Sequence, residues 1–255
     1  MKNLLVNKKI VRVYDSIDEM PIINFQKYNK YLLIDSGIGS DADDIDAHIT
    51  KIAKLIKAKD SKKALQELQN MRQNIYMVNS EISPKYLAFA ALIQSVDGKE
   101  VTDLSDDGLK KLLQGLKEIK HSKIIDFLTW LKKKVTFELE IYFPDDFINP
   151  KEKEAYDKLK SRTLLALDSV VNDTDNSEQI EAIDAMIFST YSPKLYAGSE
   201  SVEVKYDKQF ESTCLLIAQK TSMDAKKMTV LQFYNAIDNI RAQAEAEAKS
   251  LKRNK

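Results

Sequence analysis

The sequence has very few of the residues that mark disulfides, metal sites or frequent turns. It contains one cysteine, Cys214, which excludes an internal disulfide framework and a zinc site built from thiolates. Phe210, Cys214 and Ile217 share one face of a predicted helix, so we interpret the cysteine as a small buried apolar residue. Six glycines and five prolines among 255 residues are too few for the many turns of an all-β fold. This scarcity favours long helices.

Long apolar runs and an excess of charge of one sign are also missing. No run reaches the length of about 18 apolar residues that a membrane-spanning helix requires, and the opening MKNLLVNKK does not resemble a signal peptide. The 39 basic and 39 acidic side chains balance, so bulk attraction to nucleic acid or to an anionic membrane is not expected. We therefore expect a protein made in a reducing, aqueous compartment, with no membrane partner and no sequence-specific nucleic-acid binding.

Four segments carry the local chemistry of a helix start. Each pairs a side chain that accepts hydrogen bonds from the first helical turn with a proline, acidic or amide residue after it. Thr229 and Gln232 have the spacing of a capping box, and Met228 and Phe233 have the spacing of the apolar pair across it. The four segments are ISPKYL with Ser83 as the cap, LSDDGL with Ser105, INPKEK with Asn149 and MTVLQF with Thr229.

Between these starts, apolar residues recur at the helical period. We expect the resulting stripes to face a core, with only the stem of Arg72 covered in the second one. The sequence thus predicts a multi-helix body with well over half of the residues helical. The stripes are Ile45, Ile49, Ile52 and Ile56; Leu65, Leu68, Arg72, Ile75 and Val78; Ile124, Leu128, Leu131 and Val135; and Val230, Phe233, Ile237 and Ile240.

Three segments instead favour the period of two that is typical of strands. They are IVRVY at 10–14, VTFELEIYF at 135–143 and VEVKY at 202–206, all rich in β-branched or aromatic residues. The second segment also fits the end of the preceding helix, so strand and helix both remain open there. We predict a mainly α fold, a multi-helix body with a small β-sheet of two or three strands.

The loop FPDDFINP at 143–150 is bounded by two prolines and is the best candidate for an internal boundary. It would separate a helical region with an N-terminal strand, residues 1–143, from a smaller C-terminal helical region, residues 150–255. One continuous domain is the alternative.

Residues 35–46, DSGIGSDADDID, are the richest cluster of oxygen ligands in the chain. A calcium-binding EF-hand loop needs a glycine at position 6 and a glutamate at position 12. Neither residue falls in place when the loop is started at Asp35 or at Asp41. We interpret Ser40 as the cap of a helix whose first turn holds three aspartates, where the helix dipole favours negative charge. We therefore predict no metal site here.

The sequence shows no recognised catalytic or phosphate-binding motif. The patterns GxGxxG, GxxxxGK(S/T), GxSxG and HExxH are all absent. His48 and His121 stand alone, without a second histidine one helical turn away. We predict that the protein is not an enzyme and has no cofactor or metal ion.

Two parts of the sequence indicate contact with other proteins. Phe143 and Phe147 lie on the proline-bounded loop, and aromatic residues on loops are common interface anchors. The C-terminal AQAEAEAKSLKRNK has almost no apolar face, so we expect it to project from the monomer, with its order in the free chain left open. The predicted interface residues are Phe143, Phe147, Arg241, Lys249, Leu251, Lys252 and Arg253.

The first two of three informative segments, at 11–49 and 81–101, read VRVYDSIDEMPIINFQKYNKYLLIDSGIGSDADDIDAHI and EISPKYLAFAALIQSVDGKEV. These two segments resemble proteins from the structural-gene block of crAss-like bacteriophages. The third, KKMTVLQFYNAIDNI at 226–240, is similar to the closing helix of many small phage tail and head–tail proteins. The resemblance implies a non-enzymatic virion protein, assembled in the cytoplasm of the host bacterium in many copies around the portal or tail.

This resemblance supports two hypotheses about the protein's role. In the first, the chain is a ring or connector subunit of a short-tailed phage particle and contacts copies of itself and portal or tail subunits. In the second, it is a tail-assembly chaperone or scaffold that binds a helical partner and is absent from the mature virion.

Overall fold

A computed structural model of the chain describes residues 1–39, 41–79, 83–116, 121–147, 150–189 and 191–253. It is 72% helical, and the described residues form eleven α-helices and a small antiparallel sheet. The predicted mainly α fold with a small sheet is confirmed. The helices are α1 (Ile22–Ile38), α2 (Ala42–Lys57), α3 (Ser61–Asn79), α4 (Pro84–Ala91), α5 (Asp106–Gly115), α6 (His121–Tyr142), α7 (Pro144–Phe147), α8 (Pro150–Asn172), α9 (Ser177–Ser189), α10 (Val202–Thr221) and α11 (Val230–Arg253).

The chain divides into two compact units. The first unit consists of Met1–Leu139 and Lys194–Lys255, and the second of Glu140–Pro193. The boundary at Leu139 lies close to the predicted loop at 143–150. The rest of the division differs from the predicted one, because α10 and α11 belong to the first unit and do not form a C-terminal region together with 150–193.

Backbone hydrogen bonds explain why the C-terminal helices belong to the first unit. The N–H of Ile22 donates to the carbonyl of Met228 at 2.9 Å, and the N–H of Val230 donates to the carbonyl of Met20 at 2.9 Å. All four residues are at most 4% exposed. These bonds pair two segments more than 200 positions apart, and no local sequence pattern encodes such a pairing.

An ion-pair cluster joins α1 to α10 in the same unit. The ammonium of Lys30 lies 2.8 Å from Glu203 and 2.7 Å from Asp207. Burial opposes the charge on Lys30, but its hydrogen bonds to the two carboxylates outweigh that effect and raise the pKa of Lys30. The buried lysine is therefore held in its charged form between two acids.

The four strands form one antiparallel sheet in sequence order. β2 coincides with the predicted strand at 10–14, whereas the other three strands were not predicted. Asp97 and Gly98 form the last turn with φ values of 49° and 79°. An Asp-Gly pair between strand-forming residues favours such a two-residue turn and is the signal that could have located this hairpin. The strands are β1 (Lys2–Val6), β2 (Lys9–Val13), β3 (Ile93–Val96) and β4 (Lys99–Glu100).

The other two strand-like segments are helical. The segment 135–143, left open between strand and helix, belongs to α6 as far as Tyr142. The strand predicted at 202–206 is wrong, because these residues begin α10. The hydroxyl of Ser201 accepts a hydrogen bond from the N–H of Val204 at 3.3 Å, and this N-cap starts a helix despite the local alternation.

The core of the first unit lies where α1 packs on α4 and β2 pairs with β3. The run 88–93, which ends α4 and begins β3, is at most 1% exposed, and Val11 and Val13 of β2 are fully buried. Phe89 meets Phe127 of α6 edge to face, with ring centroids 5.7 Å apart. The stripe predicted on α6 is buried at all four of its positions.

Three of the four predicted helix starts are confirmed. Ser83 accepts a hydrogen bond from the N–H of Lys85 at 3.3 Å, and Ser105 accepts one from Gly108 at 3.1 Å. The capping box before α11 is also present, with both of its hydrogen bonds between residues 229 and 232 formed at 3.0 and 3.4 Å. The fourth predicted cap, Asn149, lies outside the described residues.

The acidic cluster is a helix start, but its cap is Asp41 and not the predicted Ser40, which lies outside the described residues. The carboxylate of Asp41 accepts a hydrogen bond from the N–H of Asp44 at 3.1 Å. The N–H of Asp41 in turn donates to the carboxylate of Asp44 at 3.3 Å, which completes a capping box. Gly39, with φ of 80°, makes the turn that separates α1 from α2.

We expect Asp41→Ala to lower the free energy of unfolding by about 1 kcal/mol, because the substitution removes the acceptor for the first turn of α2. Urea denaturation followed by circular dichroism measures this change. Asp46→Ala, an exposed position further along α2, is the matched control and should change stability much less. Equal effects of the two substitutions would show that Asp41 does not act as a cap.

We expect Phe233→Ala to destabilise the monomer by roughly 3 kcal/mol, because the ring of Phe233 is 4% exposed and stacks on Phe210 at 5.9 Å. Deletion of 242–255 is the contrast, since the side chains at 242–250 are exposed, and it should leave the melting temperature nearly unchanged. Calorimetry of both variants tests this pair. A deletion variant that unfolds would show that the end of α11 stabilises the monomer.

Candidate functional site

The two aromatic residues predicted as loop anchors lie in α7 and at its start. Phe143 is 2% exposed, so its ring is not exposed as predicted, and Phe147 is half-buried. Phe143 follows the buried Val135 and Leu139 at the four-residue spacing of α6, and this helical register accounts for its burial. Of the two rings, only that of Phe147 is partly available to a partner.

The predicted C-terminal interface residues lie on α11, in the first unit, whereas the two phenylalanines belong to the second. Arg241 and Lys249 are exposed, and the guanidinium of Arg241 lies 3.3 Å from Asp238 on the same helix. The side chains of the remaining three predicted residues lie outside the described part of the chain. The role of this tail in binding a partner stays a prediction. The three residues are Leu251, Lys252 and Arg253.

A buried polar network, which the sequence did not indicate, lies where α1, α2 and α3 meet. His48 and Glu67 are 3% and 1% exposed. The Nδ1 atom of His48 lies 2.6 Å from Glu67, and its Nε2 lies 2.7 Å from the carbonyl of Ile38. Because a carbonyl only accepts hydrogen bonds, Nε2 carries a proton. The side-chain amide of Asn74 donates to the same carbonyl at 2.9 Å.

This network completes the C-terminal end of α1, whose last carbonyl has no partner within the helix. The hydrogen bond to Glu67 raises the pKa of His48; burial acts against this shift, and the Ile38 carbonyl adds to it. Lys51, 3.8 Å from Glu67, is the other charge that bears on the pair and lowers the pKa of His48. Both ring nitrogens of His48 are engaged and its ring is buried, so the pair links α2 and α3 to the end of α1.

A cleft in the first unit lies beside this network. Its two adjoining parts have volumes of about 620 and 220 Å³. No group of three His, Cys, Asp or Glu side chains that could hold a metal ion is found within the described parts of the chain. The cleft combines apolar and aromatic walls with single charges and is suited to contact with a partner. The residues that line both parts are Ile34, Tyr76, Met77 and Glu203.

α2 and α3 pack on each other as a helical hairpin that buries polar side chains and exposes apolar ones. The stripes predicted there were expected to face the core, but Ile56 is 63% exposed and Leu65 is 67% exposed. The buried positions, among them Leu55 and Ala64, precede these residues by one, which is a rotation of about 100° around the helix. The predicted orientation of the second stripe is therefore wrong, and that of the first is wrong at Ile49 and Ile56, whereas Ile45 and Ile52 are half-buried.

The turn that connects α2 to α3 is strongly basic. Residues 51–63 contain six lysines and a single acid, Asp60. Four of the lysines, at 54, 57, 59 and 62, are exposed. The basic end of the α2–α3 hairpin is the set of exposed side chains at this turn, namely Ile56, Lys57, Lys59, Lys62 and Leu65.

α8 and α9 form a second helical hairpin, in the second unit. The guanidinium of Arg162 on α8 binds the carboxylate of Asp184 on α9 through two hydrogen bonds of 2.6 and 3.0 Å. At the turn, the carboxylate of Asp168 accepts hydrogen bonds from the hydroxyl of Thr174 at 2.7 Å and from two asparagine amides. These bonds lower the pKa of Asp168 to about 2, so the turn keeps a negative charge at its centre.

This second hairpin ends in the opposite charge. Residues 163–189 contain six acidic side chains and no basic one. Apolar residues of α8 stand exposed beside them, and Val170 reaches 83% exposure. We define the acidic end by its exposed side chains: Leu167, Val170, Val171, Asp173, Glu178 and Glu181.

The described helices include none that is both long and apolar enough to cross a membrane. Cys214 is buried in α10, where burial raises the pKa of its thiol. A buried thiol of raised pKa is a poor nucleophile. The interpretation of Cys214 as a buried apolar residue agrees with this environment.

We expect stability to fall as the pH rises above neutral, because the folded state holds His48 protonated. The contribution of His48 is fully present below its ordinary pKa of 6.5 and is lost as the pH rises through the higher pKa of the folded state. Urea denaturation at intervals of pH from about 5.5 to 8.5 measures this slope. It should disappear in His48→Gln. A slope that persists in His48→Gln would assign it to other groups.

Comparisons with known proteins add no family to these observations. A scan against protein-family models found no match, and searches of curated proteins and of solved structures found none either. The function is therefore argued from the surfaces described above and from the resemblance of the three sequence segments.

Proposed function

We propose that the protein is a non-enzymatic structural subunit of a short-tailed phage particle, present in several copies as a ring or connector component at the portal or tail. Its partners are then copies of itself and neighbouring portal or tail subunits, assembled in the cytoplasm of the host bacterium. The observation that carries the proposal is the exposed surface with apolar residues on both helical hairpins. Surface of this kind is stable in water when another protein covers it.

The buried ionisable groups support a structural role. Lys30 is held between two carboxylates that join α1 to α10, and His48 with Glu67 joins the first three helices. Each of these groups has its hydrogen bonds taken up by the fold. General acid–base catalysis requires a group within reach of a substrate, and these groups are enclosed by protein.

The phage assignment itself rests on the resemblance of the segments at 11–49, 81–101 and 226–240. In the structure, parts of the first and third segments are hydrogen-bonded to each other through Met20–Ile22 and Met228–Val230. The resembling segments thus contribute to one core, as expected if they were retained together as the framework of a subunit.

A second candidate function is a tail-assembly chaperone or scaffold. The observation that favours it is the cleft of about 620 Å³, where Tyr76 is 71% exposed and borders Met77. A flexible methionine beside an exposed aromatic ring suits the binding of an amphipathic helix from a partner. This role predicts a protein that is abundant in infected cells and absent from finished particles.

Quantitative mass spectrometry of gradient-purified virions separates the two functions. A structural subunit should be present at a fixed ratio to the portal protein across independent preparations. The control is the infected-cell lysate, which contains every protein of the assembly pathway. Detection in the lysate but not in virions would refute the structural proposal and favour the chaperone.

A further inference from the structure

We propose that copies of this chain associate head to tail, with the acidic end of the α8–α9 hairpin of one copy seated on the basic end of the α2–α3 hairpin of the next. This inference rests on the proposed function and adds the two surfaces and the order in which they meet. A contact between two different surfaces generates a closed ring when the rotation between neighbouring copies divides a full turn evenly, and it generates an open filament otherwise.

The first argument is that each end exposes apolar side chains that the chain itself does not cover. At the basic end, Ile56 and Leu65 stand on either side of the turn between α2 and α3. At the acidic end, Leu167, Val170 and Val171 occupy the last two turns of α8. Pairing the two ends would remove both apolar groups from water, which is the main source of affinity in protein association.

The second argument is complementarity of charge, which selects a copy of the same chain as the occupant. The turn at 51–63 has six lysines against one acid, and residues 163–189 have six acids and no base. Each end repels its own kind, so a symmetric contact between two basic or two acidic ends is disfavoured, and a contact between unlike ends is favoured. The zero net charge of the whole chain conceals this separation.

Two charge-reversal variants test the inference. Lys57→Glu with Lys62→Glu lowers the net charge of residues 51–63 from +5 to +1, and Glu178→Lys with Glu181→Lys reduces that of residues 163–189 from −6 to −2. All four side chains are exposed, so the fold should be retained, and circular dichroism and melting temperature check this. The control is Lys208→Glu with Lys220→Glu, which makes the same change of net charge as the basic-end variant at exposed positions of α10.

Sedimentation velocity over a range of protein and salt concentrations provides the readout. We expect the wild type and the α10 control to self-associate, more weakly as salt rises, and each end variant to associate more weakly by about tenfold or more. An equimolar mixture of the two end variants should instead associate more strongly than either variant alone. In that mixture the wild-type acidic end of one variant meets the wild-type basic end of the other, a contact that neither variant can make with its own copies.

If charge reversal prevents one variant from folding, Ile56→Ser and Val171→Ser test the same two ends without changing charge, and both should weaken association. Wild-type association that is unaffected by all these variants would overturn the pairing and leave the virion role intact. A wild-type chain that stays monomeric at every concentration would also overturn it. The presence of the protein in virions is measured separately, so the two proposals fail on different experiments.

Discussion

The architecture depends on the pairing of two distant backbone segments, Met20–Ile22 and Met228–Val230. Their exchanged hydrogen bonds are buried, and leaving one of these buried backbone groups without a partner would cost about 1–3 kcal/mol. The pairing brings the start of α11 to the start of α1 and returns the C-terminal quarter of the chain to the N-terminal core. Residues 140–193 are thereby left as a unit that departs from and returns to that core.

A second constraint is the polar interior of the α2–α3 hairpin. His48 and Asn74 turn inward and donate hydrogen bonds to the carbonyl that ends α1, and Glu67 is paired with the other ring nitrogen of His48. Because these polar side chains are buried, the isoleucine and leucine residues that follow the buried positions by one residue in the sequence face outward. The same constraint that fixes the hairpin to α1 therefore creates the exposed apolar surface for which a partner is proposed.

Both hairpins are held by polar contacts and carry charged side chains at their turns, but the two charges have opposite sign. In the first unit, a buried polar network supports a hairpin that ends in lysines; in the second, Arg162, Asp184 and Asp168 order a hairpin that ends in acids. Apolar side chains stand beside both sets of charges. Opposite charges beside exposed apolar side chains are features that favour contact with another protein.

Much of the secondary structure followed from local physical chemistry, because caps and apolar periods act within a few residues. The caps Ser83, Ser105 and Thr229, the helical class and the stripe on α6 were all read from the sequence and are present in the structure. Which face of α2 and α3 is buried, where the chain returns to its first unit, and that VEVKY is helical were decided by tertiary structure. The reason is that an apolar stripe shows which residues share a face of a helix but not which element that face packs against. The buried partners of His48 determine which face of α2 and α3 is buried. The backbone hydrogen bond between Met20 and Val230 determines where the chain returns to its first unit.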